Sequence, residues 1–215
     1  CHIFNETQRS PVNCLELSVK CLRILVEKGW GRQLSPQMGK QLIILLTLIV
    51  GGTPNKSGET SSSQTRSPEL AIAGFNCLLA IFNVLDGPVA KQTIYHEVGT
   101  ATVVDQMVYL MLEGAADEGS DELCISAAKA LQALFQRITD RVVLASIMPR
   151  TVSTLTKIIK PSTQVRRSYK LLSVCLQIFN YLLRTVLNDQ IAKTSEKSAP
   201  SQNAEDQMVL DASWL

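Results

Sequence analysis

Aromatic side chains make up 5% of the chain and histidine occurs twice, so stacked-base recognition and imidazole catalysis have little to work with. No C-x-x-C pair is present among the six cysteines, and no His and Cys recur at metal-ligand spacing. Gly51-Gly52 is followed by no G-K-[ST], which removes a phosphate loop. His96 stands alone between Tyr95 and Glu97, and His2 lies near the start. The run Glu113–Glu122 holds five acids and no base, but without the regular ligand spacing around a central glycine that a calcium loop needs. No catalytic constellation emerges, and the chain is expected not to be an enzyme, with no cofactor and no metal. The longest apolar stretch, Leu42–Val50, is broken by Thr47 and is about half of a membrane span. It reads as a buried core helix, and no membrane partner is expected.

What is present is 215 residues, 46% hydrophobic and 19% charged, rich in Leu, Ile, Val and Ala. Such a balance can build a core, and the shortage of aromatics suits helix-on-helix packing better than a sheet. The fold expected is all-α. Helices are read over about Pro11–Lys28, Pro36–Val50 with Ser35 as its N-cap, Pro68–Leu85, Ala101–Leu112 and Asp121–Ile138, with a shorter piece at Val89–Glu97. The first two are expected to pair antiparallel. Arg141–Ile147 is read as a brief helix, restarted by Pro149 and ended at Pro161. In the long helix that follows, Val165, Tyr169, Leu172, Leu176, Phe179, Leu183 and Val186 fall at alternating four- and three-residue spacings, widened by Leu171, Cys175, Ile178 and Leu182. Burial of Leu172, Leu176, Phe179 and Leu183 is expected, with the Tyr169 ring inward.

Two polar stretches, 51–67 and 188–205, are expected to be flexible insertions. With both insertions included, the chain reads as one segment, 1–215, of a longer protein, with a new amphipathic helix beginning at Asp206. Ser67-Pro68 is open to two readings, a helix start or a proline-directed phosphorylation site. Four of the six cysteines lie on apolar stripes, which reads as buried reduced thiols in an intracellular protein.

Four segments align: CLRILV at 21–26, CLLAIF at 77–82, ALQALF at 130–135 and CLQIFN at 175–180, separated by 56, 53 and 45 residues. Helix pairs recurring near 40–47 residues mark HEAT and armadillo arrays, in which no pair hides its apolar face alone and stacking makes the core. The architecture expected is a HEAT/armadillo-like α-solenoid of stacked antiparallel helix pairs.

Charge is uneven. Residues 1–140 hold 11 bases and 14 acids, residues 141–215 hold 10 and 5, and Arg141–Asn188 contains eight bases and no acid. This is either a solvated helix face or a surface for an acidic or phosphorylated partner. Arg166, Arg167 and Lys170 crowd the start of the long helix, where the partial positive charge of the helix end disfavours them, and they are the candidate partner-binding residues. Nucleic acid is the weaker reading, because only Tyr169 is interleaved with the bases.

The helix opened by Ile147-Met148-Pro149, the SxLT pattern at Ser153–Thr156 and the run KLLSVCLQIF at Lys170–Phe179 resemble the Tel-two-interacting protein one family. Looser echoes are Cys21–Leu25, Ile125–Phe135 and the segment around Trp214. Members place Gly after the proline, where Arg150 stands here. The resemblance implies the N-terminal portion of a HEAT-repeat scaffold subunit of the triple-T (TTT) co-chaperone complex. With two other helical-repeat subunits and the ninety-kilodalton heat-shock chaperone, that scaffold matures phosphatidylinositol-3-kinase-related kinases in cytoplasm and nucleus. A different HEAT or armadillo adaptor, such as a karyopherin-like transport factor, is the alternative.

Overall fold

In the computed structural model the described residues are 12–51, 67–98, 101–117, 119–160 and 166–197. Eight helices are seen among them: α1 Val12–Glu27, α2 Pro36–Gly51, α3 Pro68–Val84, α4 Gly87–Ile94, α5 Val103–Ala116, α6 Asp121–Arg137, α7 Arg141–Ile159 and α8 Tyr169–Lys197. By compactness the chain divides into Cys1–Phe179 and Asn180–Leu215. The first unit holds α1 to α7 and the opening turns of α8, and the described part of the second is the remainder of α8.

Local chemistry explains most helix starts. Ser67 accepts from the Leu70 amide at 3.4 Å and donates to Glu69 Oε2 at 2.6 Å, with Pro68 at the first helical position, so Ser67-Pro68 is used as a helix start. The same bond holds the exposed Glu69 carboxyl below its ordinary range. Ser120 caps α6, with Asp121 and Glu122 at the positive end of the helix. Thr102 and Asp105 close a reciprocal capping box on α5. Asp140 caps α7 through the Val142 and Val143 amides.

Two rows of helices are stacked in the first unit. In one row α3 lies between α1 and α6; in the other, α2, α5 and α7 follow one another, with α2 packed on α3 and α5 on α6. The class is thus the all-α solenoid that the periodicity implies, but the pairing differs from the sequence reading by one helix. α1 packs on α3 and not closely on α2. The cause is the connection: Gly29 at φ 124° leads into a 3-10 turn, Trp30–Gln33, whose buried Gly31 fits beneath Val84 and Val26 and sends α2 into the second row.

The interior helix α3 buries residues all round, from Leu70 through Ala71, Phe75, Leu78 and Ile81 to Phe82. α6 does the same with Cys124, Ala127, Ala128, Leu131, Leu134 and Phe135. The repeat register places Leu22, Leu78, Leu131 and Leu176 at one position; the first three are 7%, 1% and 0% exposed. Small residues set the spacing: a Cβ on Gly114 would meet the Phe75 ring at 2.8 Å and Ala127 Cβ at 3.0 Å.

Three further readings are corrected. Helix α7 runs unbroken through Pro149. Leu144, Ile147, Thr151, Leu155 and Ile158 form its buried face against α5, while Pro149 and Ala145, whose carbonyl loses its partner, lie on the exposed face, open to solvent. Between α4 and α5 the chain makes a two-residue antiparallel ladder, Glu97↔Thr102 and Val98↔Ala101, where a helix was expected to reach Glu97. Helix α8 begins at Tyr169 and continues to Lys197, through the first half of the stretch read as the second insertion. Residues 188–197 contain no Gly or Pro and several good helix formers. The first insertion, apart from its ends Gly51 and Ser67, residues 198–205 and the helix read from Asp206 lie outside the described residues.

Candidate protein-interaction surface

The start of α8 is where the candidate residues sit. Ser168 precedes the helix, its Oγ accepting from the Lys170 amide at 3.2 Å and its carbonyl from the Leu172 amide at 3.1 Å. Arg166 and Arg167 therefore stand before the helix, not in it, and Lys170 lies in its first turn. Arg166 and Lys170 are exposed, whereas Arg167 is half-buried.

Arg167 reaches back one repeat. Its Nη1 donates to the Asp117 carbonyl at 2.9 Å and its Nη2 to the Ala116 carbonyl at 3.1 Å, with Cys124 Sγ at 3.8 Å from Nη1. Those carbonyls end α5, so a cation meets the partial negative charge that a helix C-terminus presents. The Cys124 thiol donates to the Asp117 carbonyl at 2.6 Å, and burial pushes it up against the opposing charge of Arg167. Across from it, burial raises the Cys175 thiol to about 11, and burial raises Cys77 to about 12. Arg167 and the acidic run are thus brought together, but through backbone carbonyls of that run. Cys77, Cys124 and Cys175 are buried, while Cys14 and Cys21 are exposed.

The facing of α8 is the main correction to the sequence reading. Leu171, Val174, Cys175, Ile178 and Leu182 are the buried side chains, and Gln132 Nε2 donates to Gln177 Oε1 at 3.1 Å along the α6 side. The residues read as core lie on the other flank: Tyr169 is 84% exposed, Leu176 56% and Leu183 57%, and Leu172 and Phe179 are half-buried. At one end of the row, α1 turns Val19, Leu22 and Val26 inward and leaves Leu17, Ile24 and Leu25 exposed. α1 and α8 are thus each buried along one side and exposed along another.

On the second row, a shallow open groove is lined by Thr47, Asp105, Gln106, Tyr109, Leu110 and Arg150. The Arg150 guanidinium lies 4.1 Å from the Tyr109 ring centroid. The Glu113 carboxylate, by its hydrogen bond and charge, raises the Tyr109 hydroxyl. Tyr109 and Glu113 are neighbours four residues apart on α5, but nothing in the sequence pattern pairs Tyr109 with Arg150 of α7. Tyr95 is placed structurally, its hydroxyl accepting from the Thr139 and Asp140 amides at 2.9 and 3.0 Å just ahead of α7, and His96 is exposed. Among the described residues no three His, Cys, Asp or Glu side chains come together as a metal site. Helix α7 has the length and mean hydropathy, 1.3, of a membrane span, yet it packs on α5 and carries Arg150 at its middle.

No curated protein and no solved structure matches the chain. A family does, described as the TTI1 N-terminal TPR domain, and the match extends over residues 1–215. That description types the repeats as tetratricopeptide-like, where the spacing reads as HEAT or armadillo; all three are stacks of antiparallel helix pairs. With the whole chain matched and an all-α stack observed, the chain belongs to the Tel-two-interacting protein 1 family, as its N-terminal portion.

Proposed function

We propose that this domain is a non-enzymatic scaffold segment of the TTT co-chaperone complex, working in cytoplasm and nucleus. Its partners are the other two TTT subunits, phosphatidylinositol-3-kinase-related kinases and the ninety-kilodalton heat-shock chaperone system. The observation that carries this reading is the family match along the full chain. A helical stack that presents long surfaces suits protein binding. The karyopherin-like alternative is not favoured by that match.

Within this reading the exposed Arg166 and Lys170 meet an acidic or phosphorylated surface on a partner, and Arg167 fixes the start of α8 to the end of α5. Depleting the protein from its source cells tests the proposal. Steady-state levels of the kinases should fall and recover with the intact protein but not with one lacking this domain. Unchanged kinase levels on depletion would refute it.

A further inference from the structure

We draw no further inference here: the strongest candidate, the shallow groove across α2, α5 and α7 bordered by Tyr109 and Arg150, balances Arg150 with Asp105 and Glu113, so that charge selects no class of ligand and nothing in the structure shows what covers it.

Discussion

Leu131 and Leu176 occupy one repeat position in two environments, 0% and 56% exposed, and truncating each to alanine measures the stack directly. At Leu131 the change removes three carbons from a closed interior. At about 0.8 kcal/mol per carbon the transfer loss is about 2.4 kcal/mol. A partly relaxed cavity adds about 1 kcal/mol more, giving about 3–4 kcal/mol, inside the range for buried leucine truncations. At Leu176 no cavity forms and over half the side chain is already wet, so the loss should stay within about 0.5 kcal/mol. Urea unfolding followed by far-UV circular dichroism reads both values. Fits should allow for more than two states, because stacked repeats lose cooperativity between neighbours. Equal losses would mean that the outer face of α8 is covered in solution. A loss below about 1 kcal/mol at Leu131 would mean that α6 is not enclosed on both sides.

Gly114→Ala should destabilise by about 1–2 kcal/mol in thermal melts, because the new methyl meets the Phe75 ring and Ala127, while Gly87→Ala, with nothing within 4 Å, should be neutral or slightly stabilising. Arg167→Met keeps the stem and loses the bonds to the α5 carbonyls; a cost of about 1–3 kcal/mol, with faster amide exchange at the end of α5, is expected, and no change would mean that those bonds do not form. Thiol labelling mapped by mass spectrometry at pH 8 should modify Cys14 and Cys21 rapidly and Cys77, Cys124 and Cys175 only on unfolding. The raised Cys77 and Cys175 thiols set a sign for pH: the folded form holds protons that the unfolded form has released, so stability should fall as pH rises from the ordinary thiol value of 9.0 towards about 11 to 12. Stability flat through that window, or rising, would contradict burial of these thiols.

The sequence made the helices and their register legible because both depend on local information. Ser67-Pro68, Ser120 and Asp140 act through neighbouring amides, and the leucines at 22, 78, 131 and 176 recur by plain alignment. What stayed hidden depended on neighbours. In α8 both flanks of the apolar stripe have core composition, and periodicity gives the width of such a stripe but not which half another helix covers. Hence Leu171, Cys175 and Ile178 are buried while Leu176 is not. Pro149 reads as a break because its cost is local, but the five residues of α7 packed on α5 outweigh one lost bond at the exposed face. Arg167 carried a signal, a base crowded against a helix start, but its partner is a pair of carbonyls about 50 residues earlier, which no side-chain pattern marks.

The scaffold reading is met most directly by affinity purification of the intact protein from its source cells, with the bound proteins identified by mass spectrometry and quantified against a version lacking this domain. The account predicts that the other two TTT subunits and phosphatidylinositol-3-kinase-related kinases are recovered with the intact protein, and that at least one of them is reduced when the domain is missing. Recovery of nuclear-transport cargoes in their place, or an identical set of partners with and without the domain, would contradict it.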